Sequence, residues 1–136
     1  NIHEPALLFS EMTRILKPVG HLILAVPFLY WLHENPNDYH RYTHFMLKEF
    51  CKKNNLKVVE LEIYGGLPEI IFDLIHKGYN YYNLPLKFFF YSCFNFIGRF
   101  LSKRKFVQRM SINSRSTFPM GYVLVAKKLT KVVDHS

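Results

Sequence analysis

The sequence predicts an α/β fold with a helical insert before its last strand. Three observations predict it. A helix-period stretch leads into a run that is apolar on both faces, a later stretch alternates apolar and charged residues, and a final run is again apolar on both faces. With 136 residues the chain makes one domain of modest size. An apolar fraction of 49% against 21% charged excludes a disordered chain. Two cysteines, Cys51 and Cys93, cannot build a disulfide framework and suit a reducing compartment.

Residues 4–17 predict a helix. Pro5 falls in the first turn, where its missing N–H costs nothing, and Pro18 forbids continuation. Leu8, Met12, Ile15 and Leu16 follow the helical period, so they are expected to face the core. Gly20 turns the chain into 21–26, a strand expected to be covered on both faces, and Pro27 ends it. Residues 28–42 have no period and are rich in Pro, Asn, His and Asp, which predicts a loop. Thr43 is suited to cap a helix to about Asn54, with Leu47, Phe50 and Cys51 inward. In 57–64, Val59, Leu61 and Ile63 alternate with Glu60 and Glu62, as on an edge strand with one wet face. Gly121 to Ala126 is apolar on both faces and is expected inside the sheet.

The insert, 67–118, concentrates aromatic residues: ten of 23 fall between Tyr79 and Phe100. On a helix, Lys87, Tyr91, Asn95, Gly98 and Ser102 form a narrow polar stripe, and Phe88, Phe89, Phe90, Phe94, Phe96, Ile97 and Phe100 a wide apolar face. Lys103-Arg104-Lys105 follows. An apolar helix beside a basic cluster has the composition of an interfacial membrane helix, which makes 84–109 a candidate contact with an anionic membrane surface. The plainer alternative is an internal helix pair covering the sheet or the site.

The net charge of +8 is uneven, with nine acids and seven bases in the first 73 residues and no acid between Asp73 and Asp134. A basic second half points to an anionic partner; nucleic acid has only the charge in its favour. No run reaches the ~18 apolar residues of a spanning helix and no signal-peptide pattern follows Asn1, so a cytoplasmic protein, soluble or peripheral to the membrane, is expected.

The segment Glu4-Pro5…Leu8…Glu11-Met12…Arg14-Ile15-Leu16-Lys17-Pro18-Val19-Gly20-His21-Leu22-Ile23-Leu24 resembles class I S-adenosyl-L-methionine-dependent methyltransferases. Their helix with an E-x-x-R-x-L-K-P-G-G ending feeds the fifth strand of the sheet. His33-Glu34-x-Pro36-x-Asp38-Tyr39-x-Arg41-Tyr42-Thr43 is similar to a loop of a bacterial subgroup that often modifies sugars or other small metabolites. Gly121 to Lys128 is similar to the closing strand. The resemblance covers about 1–66 and 119–128. It implies the C-terminal half of a Rossmann-like seven-stranded fold, with the last strand inserted antiparallel between the fifth and sixth. It also implies methyl transfer to a small-molecule or saccharide-type acceptor. The family's glycine-rich loop, its cofactor-holding acids and its first four strands would lie upstream; no G-x-G-x-G occurs in the chain. Residues 1–136 then form a partial domain that keeps the substrate side, with one sheet edge open. Val19 departs from the family's glycine, which puts that turn's geometry at issue.

The loop after residue 27 leaves the carboxyl end of a strand, where doubly wound sheets bind ligands. Methyl transfer needs alignment, and a hydroxyl acceptor also needs a base. His33 and Asp38 are the catalytic candidates; Phe28, Glu34, Tyr39, Arg41 and Tyr42 are the substrate-binding candidates. Each has a structural alternative. His33 suits a backbone hydrogen bond, Asp38 and Arg41 an i, i+3 ion pair that sets up the next helix, and Tyr39 and Tyr42 packing under the loop. The His33, Glu34, Asp38 and His40 spacing matches no standard metal pattern. Lys103 to Arg109 suits either a solvated face or an anion site.

Overall fold

A computed structural model describes residues 3–32, 35–81 and 87–130 of the chain. The elements run α1 (Pro5–Ile15), β1 (His21–Pro27), α2 (His44–Lys53), β2 (Leu56–Tyr64), α3 (Leu67–Tyr81), α4 (Lys87–Ser102), α5 (Lys105–Ser114) and β3 (Gly121–Lys128). They divide into two compact units, one of Asn1–Phe28, Leu32–Glu62 and Gly121–Ser136, the other of Leu29–Trp31 and Ile63–Met120. The insert expected at 67–118 thus folds as the body of a unit of its own. No described helix is long and apolar enough to cross a membrane.

The three strands make one sheet in the order β1-β3-β2. β3 runs antiparallel to β1, in a register from His21 opposite Lys127 to Pro27 opposite Gly121 that puts Leu24 against Leu124. The Leu129 N–H donates to the Asn55 carbonyl, so the end of β3 meets the start of β2. The last strand is therefore central, as its two apolar faces predicted: Leu124 and Ala126 are fully buried and Tyr122 nearly so. The described sheet has three strands; a seven-stranded one is not among the described residues.

β1 is an edge strand, in keeping with the open sheet edge expected, but the cover expected on both its faces is not met: Ile23 is 72% exposed. A run of apolar residues states what a strand prefers to touch, and the described elements supply no layer over that face. In β2, Val59 is also exposed, although it shares parity with half-buried Leu61 and Ile63.

α1 begins at Pro5 and buries Phe9 and Thr13, while Ile15, expected inward, is 71% exposed. Thr13 was passed over as polar. Its Oγ1 donates to the Phe9 carbonyl at 2.8 Å, which satisfies the hydroxyl and lets the residue face the core. Phe9 stacks on Phe50 of α2 at 4.7 Å. The C-terminal carbonyls of α1 are held from β3: Lys128 Nζ donates to Thr13 O at 2.6 Å and to Leu16 O at 2.8 Å. An ammonium there also opposes the negative end of the helix dipole. Thr43 caps α2 as expected, its Oγ1 accepting from the Met46 N–H at 3.3 Å.

The turn into β1 closes with the Gly20 N–H on the Lys17 carbonyl at 2.9 Å, and it holds Val19 at φ +57°. A β-branched residue is poorly suited to the left-handed region, because its Cβ crowds the backbone. This is the position at which the resembling family carries glycine. Val19→Gly should raise stability by about 1 kcal/mol, the strain relief exceeding the entropy that glycine adds to the unfolded chain. Thermal or urea unfolding checks it; a loss of stability would show that the turn carries no strain.

The second unit packs α3, α4 and α5 together. Phe72 of α3 stacks on Phe94 of α4 at 4.4 Å, and a Cβ added at Gly98 would lie 2.1 Å from the Phe72 ring. Only glycine admits that approach. Three residues of the narrow polar stripe, Asn95, Gly98 and Ser102, line a cleft of about 940 Å³ together with Phe72 and Met110. Of the wide apolar face, Phe96, Ile97 and Phe100 are 73%, 46% and 52% exposed, as in the first of the two alternatives and not the second. The side chains of 87–91, and with them most of the phenylalanine run, lie outside the described residues.

Candidate functional site

The loop that leaves the carboxyl end of β1 runs from Phe28 to Tyr42, where Thr43 starts α2. Antiparallel pairing sets the beginning of β3 beside Pro27. Phe28, at the loop's start, lies with its ring 5.9 Å from that of Tyr122. Tyr122 in turn lies 5.7 Å from the His44 ring at the head of α2.

The second half of the loop is a succession of rings. His3 and Tyr39 lie 4.2 Å apart, His40 and Tyr42 5.8 Å, and Tyr42 meets Phe50 edge-on at 6.2 Å. Tyr39 Oη donates to Asn37 Oδ1 at 3.0 Å. His40 Nε2 lies 3.3 Å from the His3 carbonyl, so the tautomer with hydrogen on Nε2 donates there and leaves Nδ1 as an acceptor. Tyr39 and His40 are exposed; Tyr42 is half-buried. Burial pushes the phenols of Tyr42 and Tyr122 up from their ordinary value, with a backbone hydrogen bond at His44 pulling Tyr122 the other way. Both are therefore neutral hydroxyls at physiological pH.

Between these rings, Asp38 and Arg41 form a bidentate pair. Arg41 Nη1 donates to Asp38 Oδ1 and Nη2 to Oδ2 at 2.5 Å. Arg41 Nη1 also donates to the His40 carbonyl at 3.0 Å. The Asp38 side chain is 7% exposed and that of Arg41 24%. The Asp38 hydrogen bond raises the Arg41 pKa above its ordinary value, against the lowering effect of burial. A carboxylate engaged at both oxygens is poorly placed to take a proton from an acceptor; here it shapes the loop. His33 and Glu34 lie outside the described residues.

The sequence therefore placed Phe28, Asp38, Tyr39, Arg41 and Tyr42 in one loop; the structure adds Tyr122 and His44 beside Phe28, and His3 beside Tyr39 and His40, as two groups of contacts. Those three come from distant parts of the chain; the one local signal was Tyr122, the polar-tipped residue at the start of an apolar strand. No group of three or more His, Cys, Asp and Glu suited to a metal occurs among the described residues.

The resemblance implies S-adenosyl-L-methionine, and the described residues do not fit it. The strand-to-helix turn that carries glycines, Gly65-Gly66 between β2 and α3, is filled by the protein itself. A Cβ at Gly66 would lie 2.4 Å from the Ser111 carbonyl, and one at Gly65 2.7 Å from Met120 Cβ. The Gly66 N–H already donates to Glu69 Oε2 at 2.8 Å. Such a turn offers no open backbone for a cofactor to approach. The chain gives no significant match to a protein-family model, a curated protein or a solved structure.

Proposed function

We propose that this chain supplies the acceptor-binding side of a class I S-adenosyl-L-methionine-dependent methyltransferase acting on a small-molecule or saccharide-type acceptor. The observation that carries the reading is the sheet order: a last strand lying antiparallel between β1 and β2, with the ring-lined loop leaving the carboxyl end of β1. The left-handed residue at position 19, in the turn where the family has glycine, also supports it.

In this reading the Asp38–Arg41 pair sets the loop's shape, and the exposed face of Tyr39 stacks against a sugar or ring. A loop imidazole takes the proton from an acceptor hydroxyl, since a neutral imidazole carries one ring nitrogen free to accept it. His33 is the sequence candidate for that base, and His40 is the described one.

The test uses protein expressed from its complete reading frame with S-adenosyl-L-methionine labelled in the methyl group. Label should pass to a member of a panel of sugars and small hydroxylated metabolites. Replacing the base, His33→Ala or His40→Ala, should cut kcat by about 100-fold or more with a smaller change in KM. Folded protein that labels no acceptor overturns the proposal. In the 136-residue chain alone, calorimetry should detect no tight binding of the cofactor; tight binding would overturn the restriction to the acceptor side.

A further inference from the structure

Among the described residues the outward face of α4 is left exposed, and what it carries is specific. Cys93, Phe96, Ile97 and Phe100 follow each other at i, i+3, i+4 and i+7, one stripe along the helix, and all four are exposed. The opposite face already meets α3 through Phe94 and Gly98. The helix is therefore apolar on two sides, and core formation accounts for one. Phe106, in the first turn of α5, is 74% exposed.

The charge beside this stripe is equally one-sided. Residues 87–114 hold six Lys and Arg and no acid. The Arg104 guanidinium lies 4.2 Å from the centre of the Phe100 ring, so cation and apolar stripe form one surface. Lys103, Arg104 and Lys105 are all exposed, at the turn where α4 ends and α5 begins. Lys103 suits the negative end of α4, whereas Lys105 sits in the first turn of α5, where the positive partial charge prefers an acid. Arg104 is the N-cap residue of α5 and makes no side-chain cap. The acids of this unit are occupied: Glu69 holds the Gly66 N–H and Asp73 pairs with Lys77.

We propose that the α4–α5 surface docks on an anionic phospholipid bilayer. Phe96, Phe100 and Phe106 enter the headgroup boundary, and Lys103, Arg104 and Lys105 lie against lipid phosphates. Exposed aromatic rings bordered by cations match a surface that is apolar beneath and anionic above. A second copy of the chain fits poorly, since a two-fold contact would bring the same basic cluster against itself. The proposal does not depend on the methyl-transfer reading, because its test contains no cofactor or acceptor.

The test is sedimentation of the 136-residue chain with vesicles of phosphatidylcholine alone or mixed with phosphatidylglycerol. Binding to the mixed vesicles should be on the order of tenfold tighter or more, and should weaken as salt rises. Lys103→Glu/Arg104→Glu/Lys105→Glu should abolish that preference. Phe96→Ser/Phe100→Ser/Phe106→Ser should lose binding while keeping the far-UV circular dichroism spectrum, since these side chains are exposed. An environment-sensitive dye on Cys93, whose thiol is exposed while that of Cys51 is buried, should shift to the blue with mixed vesicles only. No binding, equal binding to both vesicles, or a blue shift caused by self-association without lipid would each overturn the proposal.

Discussion

Replacing Leu124 by Ala should lower the stability of the fold by about 3–5 kcal/mol. Leu124 is fully buried on the central strand, and its backbone pairs with Leu24. Truncation removes the transfer energy of the lost carbons and leaves a cavity that a strand flanked on both sides closes poorly. The matching substitution at the sheet edge, Ile23→Ala, should cost under about 1 kcal/mol, because Ile23 is 72% exposed. Urea unfolding of both variants measures the contrast. Equal losses would mean that β1 is covered as heavily as β3, contrary to the arrangement described.

Arg41→Ala should be the more damaging change in the candidate site, with a loss of about 2–4 kcal/mol and collapse of acceptor affinity. It strips the guanidinium from a carboxylate whose side chain is 7% exposed. Asp38→Ala should cost less, since Arg41, at 24% exposed, reaches water more readily. Asp38→Asn combined with Arg41→Ala should recover part of the loss by removing the stranded charge. Chemical unfolding of the singles and the double closes the cycle. If Asp38→Ala proves the costlier single change, the pair is held together by the arginine's other contacts and not by the carboxylate's need.

Local signals in the sequence proved dependable. Pro5, Pro18, Thr43 and the turn at Gly20 are each written in one or two residues, and α1, β1 and α2 begin where those residues require. The i, i+3 spacing of Asp38 and Arg41 likewise announced their pairing. What failed was the assignment of apolar residues to neighbours. Ile15 and Ile23 satisfy the period of their elements, yet their cover depends on what the rest of the chain supplies. In α4 the polar stripe hid a packing contact: Gly98 counts as polar on a helical wheel, whereas glycine's lack of bulk is what lets Phe72 approach. The site was legible as a loop. His3 and Tyr122 were not, because no local pattern links residue 3 to residue 40 or residue 122 to residue 28.

The middle position of β3 has a consequence for how the chain comes to be folded. Among the described strands its two neighbours are not paired with each other; each gains β3 as a neighbour only when residues 121–128 leave the ribosome. Up to that moment Leu22, Leu24 and Val26 wait for that neighbour while nearly a hundred residues are translated. A nascent chain in that state exposes unpaired backbone and greasy side chains together, a natural client for a chaperone.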